Sequence, residues 1–353
     1  MGYRYIGSKE KLASTLLEEI KRKCPTANSV IDLMAGTGLF SLALRKEGYK
    51  VIASDVMTYS YHHLVVNLRL NRGPQFEGLV GIIEPIEDSM YMAVINYLNN
   101  LHPIDGFFTQ EYSPDGNPKV GCKPRKYFTT QNASKIDAIR HQIKEWHVQG
   151  LIDETEHSLL LHDLIMAAND VANIAGTYGH YLSHFVQRST DAILLSPSSF
   201  EKDDNIDHEI RRGYAEELAP MLKADVCYID PPYIKRQYAA NYHILETLAR
   251  EDEPEAIGES GLRPWRDQYS NFCSKVRIRS AFDQIIKNVQ SNNIFISYSE
   301  DGLLPLEDLL SFLRQYGDVE YNEIQYKRFR SNNSLKGLEL TEYLIYLHKN
   351  QTA

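Results

Sequence analysis

Val30-Ile31-Asp32-Leu33-Met34, Ala35-Gly36-Thr37-Gly38 and Leu39-Phe40-Ser41-Leu42-Ala43-Leu44 follow one another without a break. They read as a strand, a glycine turn and a helix that Gly48 ends. A second strand, Tyr49-Lys50-Val51-Ile52-Ala53-Ser54, runs to Asp55, 19 residues after Gly36. That spacing is close to the ~20 residues between a nucleotide-binding glycine turn and the acid that grips ribose hydroxyls. A glycine pair alone is a weak signal, because many strand-to-helix turns are purely structural. The strand before it, the helix after it and the acid at the second strand's end strengthen the reading. Ser41 stands where the dinucleotide fingerprint has its third glycine. This leaves room for a nicotinamide enzyme but suits S-adenosylmethionine better, since that molecule has a ribose and no pyrophosphate to cradle.

Further along, the strand-like run Val226-Cys227-Tyr228-Ile229 ends on Asp230-Pro231-Pro232-Tyr233. Proline cannot donate to a sheet and fixes its own φ, so two in succession end the strand and hold the local carbonyls in one direction. Asp230 and a neighbouring carbonyl can each accept a hydrogen bond from the exocyclic amine of a flat ring, while Tyr233 lies against the ring. Those are the needs of a reaction at a base amine, whose lone pair is delocalised into the ring. Two fixed acceptors favour a more pyramidal nitrogen and stabilise the positive charge that arises as it takes a methyl group. An ordinary turn at a strand end is the competing reading. Hydride transfer has no evident use for Asp230.

The chain of 353 residues, 43% of them hydrophobic, is long enough for one large domain or for a core domain with an insertion. Cys24, Cys122, Cys227 and Cys273 lie far apart with no Cys-x-x-Cys spacing, so neither a zinc site nor a disulfide framework is expected. A reducing cytoplasm is the simplest home. Met1-Gly2-Tyr3-Arg4-Tyr5 has no signal-peptide apolar core. No run approaches the ~18 apolar residues of a membrane span, so a soluble protein without a membrane partner is expected. His62-His63 and the other histidines show no metal spacing, and no metal is expected. The net charge of −9 weighs against a nucleic-acid partner without excluding a local basic patch.

Arg4-Tyr5-Ile6-Gly7-Ser8-Lys9 precedes a helical pattern, Leu12, Leu16, Leu17 and Ile20, with Ser8 as N-cap. From Gly73 to about Arg212 the strand signals fade into mostly helical sequence. This stretch reads as an insertion, dividing the chain into 1–72, 73–212 and 213–353. Its middle carries Lys119, Lys123, Arg125, Lys126, Lys135, Arg140 and Lys144, with Tyr127, Phe128 and Trp146 interleaved. The pattern suits phosphate contacts with stacking aromatics, and a solvated helix face nearly as well. Tyr238, Asn241, Tyr242, His243 and Glu246 lie at spacings that place several polar groups on one helix face, which suits a cleft lining and a capped surface helix equally. Arg250 to Ser280, with Gly258, Gly261, Pro264 and the cations Arg263, Arg266, Lys275, Arg277 and Arg279, reads as a mobile loop that an anionic ligand orders. Ile294 to Tyr298 and Glu342 to Tyr346 are late strands, and Tyr326-Lys327-Arg328-Phe329-Arg330 between them suits a substrate loop.

Taken together, Arg4 to Lys9, Asp32 to Gly38, Asp55, Asp230 to Tyr233 and the following Arg236-Gln237-Tyr238-Ala239-Ala240-Asn241-Tyr242-His243 resemble the adenine-N6 DNA methyltransferases of bacterial restriction-modification systems. The order is that of their alpha group, with the cofactor turn first, the target-recognition insertion next and the catalytic motif after it. The similarity covers nearly the whole chain, including Thr177-Tyr178-Gly179 and Gly261-Leu262-Arg263. Its specific part is Asp-Pro-Pro-Tyr with the Arg-Gln-Tyr continuation. Met34-Ala35 departs from the aromatic residue usual before the glycine turn. The resemblance implies an α/β fold of the S-adenosylmethionine-dependent methyltransferase type, Rossmann-like, with a mostly parallel seven-stranded sheet and a largely helical target-recognition insertion. It implies that Tyr5, Gly7, Lys9, Asp32, Gly36, Gly38, Asp55 and Asp230 hold S-adenosylmethionine, with Lys9 facing its carboxylate. Asp230, Pro231, Pro232 and Tyr233 would act on an adenine flipped out of double-stranded DNA. Lys123, Arg125, Lys126, Arg236, Tyr238, Tyr242 and Arg263 would contact that DNA, and a cognate restriction endonuclease would be a companion. An RNA adenine methyltransferase shares the pocket, and a non-catalytic binding module shares the motifs.

Overall fold

The computed structural model describes residues 10–119, 123–327 and 339–350; Tyr5, Gly7, Lys9, Cys122 and Arg328 to Arg330 lie outside the described residues. In chain order its elements begin with α1 (Glu10–Lys23), β1 (Ser29–Asp32), α2 (Leu39–Lys46), β2 (Lys50–Asp55), α3 (Thr58–Arg69), α4 (Met90–Asn99), α5 (Phe107–Tyr112), α6 (Thr130–Val148) and α7 (Glu154–Val171). They continue with β3 (Glu209–Arg212), α8 (Ala215–Leu218), β4 (Val226–Ile229), α9 (Tyr238–Asn241), α10 (His243–Arg250), α11 (Ile278–Asn288), β5 (Asn293–Ser299), α12 (Leu306–Leu313), β6 (Gly317–Lys327) and β7 (Glu339–Lys349). The chain divides into two compact units. One, the sheet unit, holds the described residues up to Leu64, Asp204–Tyr238 and those from Gln268 onward; the other, the helical unit, holds Val65–Asp203 and Ala239–Asp267.

In the sheet unit seven strands lie in the order β3-β2-β1-β4-β5-β7-β6. The first five are parallel, β7 runs antiparallel to β5, and β6 runs antiparallel to β7. The central strands are apolar along their length because a parallel sheet is covered on both faces. Ile31, Ile52, Cys227, Ile229, Ile294 and Ile296 turn one way and pack with Phe282 and Ile285 of α11 and Leu309 and Leu313 of α12. Alternate residues turn the other way, where the Tyr228 ring meets Phe40 of α2 at 4.6 Å between centroids.

Two boundaries differ from the division expected from sequence. β3, Glu-Ile-Arg-Arg, lies inside the stretch read as an insertion and has only Ile210 buried, so it carries no apolar run to announce a strand. It is an edge strand, and its start depends on His208. The His208 Nδ1 accepts the Val51 N–H at 3.1 Å, and its Nε2 lies 2.9 Å from Asp204, which also takes the Arg45 guanidinium at 3.1 Å. An imidazole thus occupies the ladder position that a strand carbonyl would fill. At the other boundary, 239–267 joins the helical unit.

The helical unit is built on α6 and α7. The start of α7 has a capping box, Asp153 with Glu156, and the Glu156 carboxylate also accepts the Phe76 N–H at 2.8 Å. Arg125, expected at a phosphate, is fully buried here. Its guanidinium pairs with Glu111 at 2.7 Å and donates to the carbonyls of Ala256 at 3.2 Å, Gly258 at 2.9 Å and Glu259 at 3.2 Å. Gly261 approaches it so closely that an added Cβ would sit 2.8 Å from its Nε. The 256–261 part of the loop expected to wait for an anionic ligand is therefore ordered by a cation of the same unit. Carbonyl oxygens need donors when buried, and a guanidinium supplies several in a fixed fork. Among the described residues no helix is long and apolar enough to cross a membrane. Cys24, Cys227 and Cys273 are buried free thiols.

Arg125→Ala leaves Glu111 and several carbonyls buried without their donor, so it should lower stability by about 3 to 5 kcal/mol, as loss of one partner of a buried pair does. Exposed Lys123→Ala should stay within about 0.5 kcal/mol of the parent. Urea unfolding of both variants measures the difference.

Candidate active site

Strand order in the sheet unit reverses between β1 and β4, since β2 and β3 extend one way from β1 while β5 extends the other way from β4. Connections on opposite faces leave a crevice at the carboxyl ends at such a point, and ligands bind there. Asp32 and Asp55 are the last residues of β1 and β2, and Asp230 directly follows β4.

The turn after β1 depends on Gly36 and Gly38, at φ 55° and 74°, a region that residues with a Cβ seldom adopt. It is tied to its neighbours at every step. Leu33 N–H donates to the Tyr228 carbonyl at 3.1 Å and Ala35 N–H to the Ser54 carbonyl at 2.9 Å. Ser54 Oγ donates to the Leu33 carbonyl at 2.7 Å, and Gly36 N–H donates to Asp55 Oδ2 at 2.9 Å. The other Asp55 oxygen accepts the Met57 N–H at 2.8 Å. Asp55 thus shapes the turn. A carboxylate oxygen can accept more than one bond, so holding the turn is compatible with holding a hydroxyl as well.

Ser41, at the position of the missing third glycine, donates its hydroxyl to Asp32 Oδ2 at 2.6 Å. Asp32 is buried. Loss of hydration pushes its carboxyl up to about 7; the Ser41 bond opposes that shift, and the negative charges of Asp230 and Asp55 add to it.

In the catalytic-type motif Pro231 is buried, while Asp230, Pro232 and Tyr233 are half-buried. The Tyr233 carbonyl accepts the Leu303 N–H at 2.9 Å. Its phenol donates to Glu342 Oε1 on β7 at 3.1 Å, and its ring stands edge-on to Tyr298 at 6.1 Å. Tyr228, two residues before Asp230, bonds to Ser297 at 2.8 Å. Sequence reading missed Glu342 and Ser297. The available signal was a carboxylate in the buried phase of a strand, since Glu342 is only 4% exposed and shares that phase with Leu344.

The other expected contact residues separate. Arg236 is exposed and Tyr238 half-buried, both in the sheet unit. Tyr242 is fully buried, and so cannot meet DNA as it stands. Arg263 is buried and forks onto Asp252 at 2.9 and 2.7 Å, with Thr247 at 3.1 Å, so it orders its own loop. Arg125 lies in the carbonyl cage already described. Lys126 donates to the Ser183 carbonyl at 3.2 Å, which leaves Lys123 as the exposed cation of the three. Arg140 and Lys144 donate to the carbonyls of Asp252 and Glu251 at 2.6 and 2.8 Å. Tyr127, Phe128 and Trp146 are buried and offer no stacking face to solvent. The basic stretch is thus mostly internal scaffolding of the helical unit. That unit also brings His147, Glu154 and His157 together, with one ligand-type atom each within 4.8 Å of the others. The two rings stack at 3.9 Å, and each has a carboxylate, Glu154 at 3.1 Å from His147 and Glu251 at 2.8 Å from His157.

A doubly wound sheet with a glycine turn after β1, an acid at the end of β2 and Asp-Pro-Pro-Tyr after β4 defines a nucleotide-binding α/β protein of the methyltransferase type. The model of the D12 class N6 adenine-specific DNA methyltransferases matches residues 5–309, and the chain belongs to that family. It is 36% identical to the type II methyltransferase M.FokI of Planomicrobium okeanokoites and 33% identical to the modification methylase StsI of Streptococcus sanguinis, each over 98% of this chain and 52% of the relative. The chain therefore spans about half the length of those two proteins. It is 32% identical to the type II methyltransferase M.NlaIII of Neisseria lactamica over 98% of this chain and 99% of that protein. 

Between the unfolded value near ~3.9 and the folded value of about 7, the folded protein keeps a proton on Asp32 that the unfolded chain has lost. Stability therefore falls as pH rises across that window. Asp32→Asn removes the titration. In thermal unfolding without ligand, the parent should lose more stability than the variant between pH 5 and pH 7.5.

Proposed function

We propose that the protein transfers a methyl group from S-adenosylmethionine to the N6 amine of an adenine flipped out of double-stranded DNA. On this reading it is the modification enzyme of a restriction-modification system, with a cognate endonuclease as companion. The observation that carries the reading is Asp230-Pro231-Pro232-Tyr233 at the end of β4, beside the Asp32 and Asp55 strand ends. The names of M.FokI, StsI and M.NlaIII, all methyltransferases or methylases, support it.

The residues fit the cofactor. A carboxyl raised to about 7 partly by two neighbouring carboxylates marks a crevice short of positive charge. S-adenosylmethionine carries an ammonium and a sulfonium. Asp32, oriented by Ser41, suits the ammonium, and the Gly36 to Gly38 turn with Asp55 suits the ribose. When bound, the cofactor supplies a methyl group on a positively charged sulfur.

The remaining work falls to this chain. Extruding a base from the duplex costs a few kcal/mol, which stacking and hydrogen bonds in the pocket offset. Tyr233 offers a ring face, and its phenol bond to Glu342 with the edge contact to Tyr298 keeps that face from rotating away. Asp230 accepts a hydrogen bond from the amine and stabilises the positive charge that grows on nitrogen. Pro231 and Pro232 hold the adjacent carbonyls in place as further acceptors.

Asp230→Asn keeps the size of the side chain but removes its charge and turns an NH2 toward the amine. Single-turnover transfer of labelled methyl to duplex DNA at saturating cofactor should fall ~10²-fold or more while folding is retained. A rate within about threefold of the parent, far from the ~10² expected of a charge-stabilising group, would overturn the reading. Asp55→Ala should weaken cofactor binding in calorimetry by about 1 to 3 kcal/mol, the range for bonds to a charged group.

A further inference from the structure

The sheet unit has an exposed basic edge that the chemistry above leaves unused. Soon after Tyr233 the chain is stapled to a distant segment. Ser270 N–H donates to Gln237 Oε1 at 2.8 Å, the Gln237 amide donates to the Ser270 carbonyl at 3.1 Å, and Cys273 Sγ–H donates to the Arg236 carbonyl at 3.3 Å. Directly after Cys273 comes a tight turn. Arg277 and Ile278 both donate their N–H to the Ser274 carbonyl, at 3.0 and 2.9 Å, and α11 begins there. Two short loops are thereby held together beside the Asp-Pro-Pro-Tyr segment.

Their side chains form an unusual set. Lys235, Arg236, Lys275 and Arg277 are exposed, and Val276 between the last two is 91% exposed. Among the described residues none of these four cations has a carboxylate partner, whereas Arg279, one turn on, meets Asp308 at 3.7 Å. Arg277 lies over the Tyr269 ring at 5.5 Å, which limits where its charge can point. In a chain of net charge −9, four cations without carboxylates beside one motif are a local concentration of positive field. A single exposed valine needs no explanation by itself. Its place between two such cations, on a turn closed by two backbone bonds, is what gives it a use.

We propose that Lys235, Arg236, Lys275 and Arg277 seat the phosphates of the strand that carries the target adenine, and that Val276 is an apolar wedge that enters the stack as the base leaves. This rests on the function proposed above. Phosphate contacts fix register and orientation, and an apolar side chain beside an unstacked step replaces part of the lost stacking. The enzyme then needs no aromatic finger on this edge.

Two measurements test it on the full chain. In the first, binding to a mixed-sequence duplex is followed against salt. Lys275→Gln with Arg277→Gln should flatten the log affinity against log salt line by roughly 0.9 per lost phosphate contact, and an unchanged slope overturns the seat. This arm needs no turnover, so it decides the surface even if the parent transfers no methyl group, a failure that would instead remove the proposed function. In the second, Val276→Ala is compared with the parent in single-turnover methylation of a duplex built around a mapped methylated adenine. Transfer should slow by about tenfold, a part of what unstacking one step costs. The loss should disappear when the target adenine faces an abasic site, where the base is already loose. An equal rate on the paired duplex, or an equal loss on both duplexes, overturns the wedge. The thermal transition of each variant, expected to match the parent because all three positions are exposed, excludes misfolding as the cause.

Discussion

The hydrogen bond from Gly36 N–H to the Asp55 carboxylate closes the turn after β1 against the end of β2, and the site is arranged around that closure. A turn at φ 55° and 74° has little of its own to hold it, because its glycines make few side-chain contacts. It takes its shape from acceptors on the neighbouring strands: Ser54 and Asp55 at the end of β2, and Tyr228 in β4. In-register parallel pairing of β1 with both β2 and β4 brings those acceptors level with the turn. The same pairing places three carboxylates at adjacent strand ends. Burial, with this crowding added to it, pushes the Asp32 carboxyl up, so that charging it costs free energy in the ligand-free protein, a cost that a cationic ligand can offset.

Charge is used in two opposite ways along this chain. In the helical unit cations are spent internally: Arg125 on Glu111 and three carbonyls, Arg263 on Asp252, Arg140 and Lys144 on carbonyls at the end of α10. These bonds order the 251–263 segment, which has little regular structure and would otherwise carry buried acceptors without donors. In the sheet unit Lys235, Arg236, Lys275 and Arg277 remain at the surface. A count of basic residues along the sequence cannot tell the two uses apart, because burial and hydrogen-bond partners are set by packing.

Three groups that the proposed chemistry uses are rigidly supported. Asp32 is held by Ser41, Asp55 by two backbone N–H groups, and Tyr233 by Glu342 and Tyr298. Each support comes from an element other than the one carrying the held group, or from the turn that follows it. Orientation is thereby settled before a substrate arrives, which reduces the reorganisation left for the reaction itself.

By itself the sequence determined the glycine turn, the acid at the end of β2 and the Asp-Pro-Pro-Tyr corner, because each is a run of neighbouring residues whose backbone demands are local. Gly36 and Gly38 need the left-handed region, and two prolines end a strand wherever they occur. Two late strands also followed from local pattern, and a mostly parallel seven-stranded sheet from family resemblance. Only the tertiary structure decided what depends on residues far apart in the chain. β3 is a strand because His208 and β2 provide its ladder, although its own residues lack an apolar run. Arg125 is internal because carbonyls 131 to 134 residues away need its donors. Glu342 reaches Tyr233 across 109 residues. Burial and pairing at such distances are set by which faces the packed elements turn toward one another, and no short window of sequence contains that information.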